Sequence, residues 1–464
     1  MLFCKDTYIQ RRQALSQRIK SGLIILMGNN LSPVNYPANA YRFRQDSSFL
    51  YYFGQHREGL VGVIDTDENK EWLIGNDIDI EDIVWYGSVD CVSDLAAQVG
   101  VNQTAPMSDL QSICDKAKAS GREIHFLPPY RYDTKIQIMD LLGIHPNNQK
   151  ETASLALIKA VVKMRSTKEP QEIEAIERAC DVGYEMHTRA MHTVRPGLSE
   201  RYVGGIVDGT ANSLASKVSF ATIFSQHGEI MHGNPSTALL EDGRLVLCDA
   251  GCELDDYCSD HTRTYPVNGK FTDVQKDIYN IVLRAHSEVK DMIKPGTMYP
   301  DIHRAAYLSL AEGLKGVGLI KSTAEDAVAA GAMFLFMPHG LSHGMGIDVH
   351  DCEAMGERSY DFSAIAERAA ESATCIHRAT WRLRAGTVMS NEPGIYFIPA
   401  LIDKSRSEGL YKGIVNYDKL DGYRDFGGIR IEDDVIVTDK GGRVIGGDKK
   451  IPVTVEELEA ILSR

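Results

Sequence analysis

The chain has 464 residues, 43% hydrophobic and 25% charged, with 50 Lys and Arg set against 64 Asp and Glu. That length exceeds the usual single core and predicts two domains, while a net charge of -14 disfavours a nucleic-acid or anionic-membrane partner. No apolar run approaches the ~20 residues of a membrane span. The opening MLFCKDTYIQRRQALSQRIK lacks the apolar centre of a secretory signal, and nine dispersed cysteines with no C-x-x-C pair suit reduced thiols in a cytoplasm.

Along the chain, Leu23–Met27, Phe49–Phe53, Leu60–Ile64 and Trp72–Ile74 are short, apolar or β-rich runs and are expected as strands. Polar stretches around Asp94–Val99 and Asp109–Ala119 are expected as helices. Residues 1–150 thus read as an α/β domain, and His145–Thr152 (HPNNQKET) as the linker to a second domain, 151–464. Ser166 followed by Glu169 matches a capping box before an apolar face of Ile173, Ile176 and Cys180. Thr272 with Gln275 matches another, before Ile278, Ile281, Val282, Ala285 and Val289 in steps of three and four. The stretch Leu245–Pro266, apolar runs broken by Leu254-Asp255-Asp256, is expected as a β-hairpin. Cys248, Cys252 and Cys258 within it read as small core residues.

Five residues of the last 220 stand out: Asp249, Asp260, His343, Glu392 and Glu432. Each carboxylate lies in or beside an apolar or β-rich run, where an unpaired charge is costly to bury. Gathered in one place the four anions would repel until some protonated. Two divalent cations remove that difficulty, and four oxygen donors with one imidazole suit Mn²⁺, Co²⁺ or Zn²⁺. A turn centred on Leu254 and Asp255 would set Asp249 directly across from Asp260, at the roughly 4.5–5.5 Å of opposed Cβ atoms. Glu432 falls in Ile429–Val437, expected as one strand, with Arg430 two residues earlier on the same face and therefore placed to hold Glu432 ionised. Glu392 ends the run VMSN just before Pro393-Gly394, where a turn would aim it inward.

His339, His343 and His350 share the segment PHGLSHGMGIDVHD, in which Gly340, Gly344 and Gly346 disfavour a regular helix. Spare imidazoles beside a metal act as proton carriers or oxyanion donors. His232, in GEIMHGNPS, is a weaker candidate by itself. Gly340–Gly344 also matches the G-x-S-x-G of a serine-hydrolase elbow, but it lacks the strand before and the helix after that such an elbow requires.

Together LVLCDAGCELDDYCSDHTRTYPVNGKF, FMPHGLSHGMGIDVHD, VMSNEPGIYF and GGIRIEDD resemble the signatures of the pita-bread metallopeptidases, in the branch of aminopeptidase P and prolidase. YRFRQDSSFLYYFG resembles the aminopeptidase P N-terminal domain. The resemblance implies an α+β architecture in which an N-terminal α/β domain precedes a pita-bread domain of curved antiparallel sheet flanked by helices. It places Asp249, Asp260, His343, Glu392 and Glu432 on the family's dinuclear metal ligands, most often Mn²⁺, with Co²⁺ or Zn²⁺ possible. His232, His339 and His350 fall on substrate-contacting and proton-handling histidines, and Arg430 on a supporting arginine. It implies hydrolysis of the bond before proline at a peptide N-terminus, with Glu392 handling the proton of the attacking water and His350 stabilising the oxyanion.

Two activities remain open at this point. Aminopeptidase P trims Xaa-Pro-peptides of varied length, whereas prolidase splits the Xaa-Pro dipeptide and captures its carboxylate, typically with an arginine. Arg378 matches the position of that arginine in some prolidases, with Arg382 and Arg384 close by. Enzymes of this kind are usually homodimers or homotetramers, and the expected location is cytoplasmic, with no membrane partner.

Overall fold

The computed structural model describes residues 2–214, 216–355 and 382–463. Two compact units emerge, the first Met1–Arg165 and the second beginning at Ser166.

The first unit is built on a five-stranded mixed sheet in the order Gln103–Ala105, Lys70–Ile74, Val61–Asp65, Leu23–Met27, Ile124–Phe126. The three central strands pair antiparallel and the two edge strands parallel. Leu23, Ile25, Val61, Val63 and Ile74 pack beneath the helix Leu110–Ala119 through Leu110, Cys114 and Ala117. The run Phe49–Phe53, expected as a strand, belongs instead to the helix Ser47–Phe53. All seven of its residues are buried, so neither a two-residue nor a 3.6-residue period is visible in it. What decides is the ends: the Asp46 carboxylate accepts from Phe49 N at 2.9 Å, and Gly54 closes the helix in the left-handed region.

The segment His145–Thr152, read as a linker, is a 3₁₀ turn followed by the short helix Gln149–Thr152. The unit then continues through the helix Leu155–Arg165, which is fastened by Arg165 Nη1 donating to Ser48 Oγ at 3.0 Å.

In the second unit the helix Pro170–Thr193 is capped by Glu169 with Glu172, not by Ser166, and Pro170 takes the first turn. The Thr272–Gln275 box does cap the helix Asp273–Met292. That helix packs closely on Tyr299–Gly316, where a Cβ at Gly313 would lie 2.3 Å from Ile281. The strand Leu245–Ala250 runs between Ile223–Ser225 and His261–Pro266. Val388–Asn391 pairs with Asp433–Thr438, and Gly394–Tyr396 with Gly428–Arg430, all antiparallel. Residues 429–437 are therefore two strands in two sheets, interrupted at Ile431 and Glu432.

The hairpin register also differs from expectation. Its turn centres on Asp255 and Asp256, both left-handed with φ of 50° and 70°, because aspartate tolerates that region and leucine does not. Asp249 consequently pairs with Thr262, and Asp260 lies diagonally from Asp249 rather than opposite it. Gly251 makes this possible, since a Cβ there would meet Ser259 O at 1.8 Å. Gly251→Ala is therefore expected to cost at least the ~1–3 kcal/mol of an overpacked site, read as a lower thermal midpoint, and to reduce metal retention by displacing Asp260.

Candidate metal centre

The glycine-rich segment carrying the histidines lies along the strand Val388–Asn391. Met345 N donates to Val388 O, Ser390 N to His343 O and Glu392 N to Leu341 O, each at 3.0 Å. A helix would have no such free backbone edge, so the glycines serve a close strand-like approach. This zipper sets His343 beside Glu392, and the bridge between Thr262 and Glu432 brings in the hairpin. Asp249, Asp260, His343, Glu392, Glu432, Arg430, His232, His339 and His350 all line one cleft of about 600 Å³. Arg378 lies outside the described residues. Arg382 and Arg384 are exposed, with Arg382 Nη1 donating to Gly296 O at 3.1 Å, and neither lines the cleft.

His343 Nε2 stands 3.5 Å from Asp260 Oδ2, 3.7 Å from Glu392 Oε1 and 3.9 Å from Glu432 Oε1. Its Nδ1 faces Gly344 O at 3.2 Å. With Nδ1 donating there, the Nε2 lone pair points at three carboxylates, an arrangement that a cation would make favourable. Asp260, His343 and Glu432 each bring a ligand atom within 4.8 Å of the others. The Oδ1 atoms of Asp249 and Asp260 are buried with no hydrogen-bond partner, which fits oxygens reserved for a metal. Burial, then the neighbouring carboxylates, pushes Asp260 and Glu432 well above the ordinary carboxylate range.

Arg430 is the fixed cation nearest this set. Its Nη2 donates to Asp249 Oδ2, Nη1 to Tyr396 OH at 2.9 Å and Nε to Thr262 Oγ1 at 3.1 Å. The expected direct partner, Glu432, is instead reached through Thr262, whose hydroxyl donates to Glu432 Oε2 at 2.7 Å. Burial works against the guanidinium charge, but Tyr396, Asp249 and Glu432 outweigh it and raise the Arg430 pKa. Tyr396 OH also meets His339 Nε2 at 2.9 Å, while His339 Nδ1 faces Gly340 O at 2.8 Å. With Nδ1 donating to Gly340 O, Nε2 is the position that accepts from the Tyr396 hydroxyl, whose oxygen accepts from Arg430. His350 stacks on His343 with ring centroids 3.9 Å apart, and exposed His232 sits on the cleft rim. Ser342, the serine of the elbow-like pattern, is buried and its hydroxyl donates to Ser390 O. Thr262 and Tyr396 were missed from sequence, although Thr262 sits two residues beyond Asp260, at the strand period that links them.

Metallopeptidase family M24 matches residues 174–439, and the aminopeptidase P N-terminal domain matches residues 8–125. The chain belongs to metallopeptidase family M24. Relatives include the Xaa-Pro aminopeptidase of Escherichia coli, 29% identical with 99% of this chain and 98% of the relative covered. The Xaa-Pro dipeptidase of Homo sapiens is 28% identical, covering 97% of this chain and 92% of that protein. Zn-substituted E. coli aminopeptidase P in complex with product superposes with a TM-score of 0.80 at 26% identity, over 99% of this chain and 98% of that one. The M24 chain accordingly has the α+β pita-bread fold behind an aminopeptidase P N-terminal domain, and it is a divalent-metal peptidase. No described helix is long and apolar enough to cross a membrane.

Two outcomes are expected of this site. Replacing Thr262 by valine should weaken metal retention about 10–100-fold, measured by metal titration of the purified variant. For the metal-free protein, Asp260 and Glu432 bind protons more tightly folded than unfolded. Stability is thus greatest near their ordinary values of 3.8 and 4.5 and falls as pH rises above them toward the raised folded values. Thermal unfolding with chelator should show that fall as pH is raised above 4.5, and saturating metal should abolish it.

Proposed function

We propose that this chain is a Xaa-Pro aminopeptidase that releases the residue preceding proline from peptide N-termini, and that Asp249, Asp260, His343, Glu392 and Glu432 hold two divalent ions. The observation carrying this reading is the cleft in which all five donors converge with two orphaned carboxylate oxygens, in a chain similar to the E. coli enzyme over its whole length. The bound ions would supply Lewis-acid polarisation of the carbonyl and a lower pKa for water. The chain's own groups do the rest. Glu392, with Oε1 3.3 Å from Ser390 Oγ and Oε2 3.7 Å from His339 Nδ1, takes the proton of the attacking water and passes it to the proline nitrogen. His350 donates to the developing oxyanion. His339, bonded to the Tyr396 hydroxyl, and His232 at the rim orient the peptide, while Arg430 fixes Asp249.

Mn²⁺ is the ion best suited to four carboxylates and one imidazole, with Co²⁺ and Zn²⁺ as substitutes. Described cysteines that are all free support a reducing, cytoplasmic setting, and a homodimer or homotetramer is the proposed assembly. The second reading, prolidase, draws on the human relative and would assign Arg378 to the proline carboxylate. Hydrolysis of Ala-Pro-Ala and Ala-Pro side by side, with Mn²⁺ and with chelator, decides between them. Metal-dependent release of alanine from the tripeptide supports the aminopeptidase, and cleavage of the dipeptide alone supports the prolidase. Glu392→Gln should keep most of the metal and lose about 10²–10⁴-fold in kcat, whereas Asp260→Asn should lose metal. A wild-type kcat in Glu392→Gln would remove its assigned role.

A further inference from the structure

The strand His261–Pro266 serves two cavities. Thr262 and Thr264 face Arg430 in the carboxylate cleft. His261 and Arg263 alternate with them and line a separate cavity of about 200 Å³, which Cys180 also lines. The ligand atoms of Cys180, from the helix Pro170–Thr193, His261 and Asp434 lie within 4.8 Å of one another, and all three residues are buried. We propose that Cys180, His261 and Asp434 form a third cation site, for a thiophilic divalent ion of the zinc class, behind the carboxylate cleft.

Three observations carry this. First, Asp434 Oδ1 and His261 Nδ1 are both buried without a hydrogen-bond partner, although Asp434 is wholly inaccessible and His261 is 3% exposed. Its neighbour Asp433 shows the ordinary solution to burial, an ion pair with Arg263 at 2.7 Å. No lysine or arginine ion pair serves Asp434 among the described residues. Second, Cys180 differs from two neighbouring buried thiols of this unit. Cys252 and Cys258 give their S–H to the backbone carbonyls of Ala179 and Ile347, whereas Cys180 gives its S–H to the carboxylate oxygen Oδ2 of Asp434, at 3.4 Å. That separation is close to the roughly 3.5 Å edge between sulfur and oxygen ligands of a tetrahedral zinc, given bonds of about 2.3 and 2.0 Å. Third, the cavity leaves room for a water as fourth ligand. On binding, Cys180 yields its proton to solvent and becomes a thiolate. The same Asp434 oxygen, Oδ2, also accepts the Asp260 backbone N–H at 3.0 Å, so the cation would anchor the backbone of a residue in the cleft.

Sulfur distinguishes this site from the cleft, which no cysteine lines among the described residues. The full chain, stripped of metal and titrated with Co²⁺, should develop a thiolate-to-cobalt charge-transfer band in the near ultraviolet as the last equivalent binds. Cys180→Ser should abolish that band and lower bound metal by one equivalent, while Cys252→Ser should keep both. A folded wild-type chain that saturates with Co²⁺ without the band overturns the proposal, as does a band that survives unchanged in Cys180→Ser. Because the readout is spectroscopic, peptidase activity does not enter it.

Discussion

Mutual repulsion among buried carboxylates governs this molecule. Asp249, Asp260, Glu392 and Glu432 line one cleft with a single guanidinium, that of Arg430, against them among the described residues. Desolvating an unpaired ion costs several kcal/mol even after relaxation, so the set persists only if its charge is compensated. Arg430 neutralises Asp249 and, by way of the Thr262 hydroxyl, steadies Glu432. The remainder is left for metal. The surrounding scaffold follows from that need: a hairpin with an aspartate turn, a glycine segment zipped to a strand edge, and strands that break at the residue they deliver.

The same economy sets the chemistry. Groups that hold the anions also hold a histidine, because the Tyr396 hydroxyl that accepts from Arg430 also meets His339 Nε2. A hydrogen-bonded chain thus reaches from Asp249 through Arg430 and Tyr396 to an imidazole in the cleft.

How much of this was legible in the sequence varied with the kind of signal. The Thr272–Gln275 helix was readable because its apolar residues repeat every three or four positions and its cap is local. The five candidate residues stood out because charges inside β-rich runs are improbable without a purpose, and the structure gathers them in one cleft, where their role as metal ligands is the reading proposed. The helix Ser47–Phe53 was not readable by period, being buried on every side. The hairpin register turned on which two residues accept positive φ, a choice that Leu254-Asp255-Asp256 leaves to backbone sterics. Ser166 looked like a cap because the pattern was right, but Pro170 moved the first turn and Glu169 took the role. Arg430 was expected on one strand with Glu432 and on its face, but the strand breaks at Ile431 and Glu432, so the guanidinium bonds Asp249 directly and reaches Glu432 through Thr262.

The distance along the chain between the two halves of the cleft has a consequence for biosynthesis. Asp249 and Asp260 are made roughly 180 residues before Arg430 and Glu432. At about 5–20 residues per second, the hairpin waits some ten to forty seconds on the ribosome without its guanidinium. Its aspartates cannot be buried as anions in that interval, so the hairpin stays hydrated or undocked until the last strands arrive. Metal capture therefore belongs to the end of synthesis, and the cell's free-ion pool at that moment, as much as the donor set, decides which ion the newborn enzyme carries.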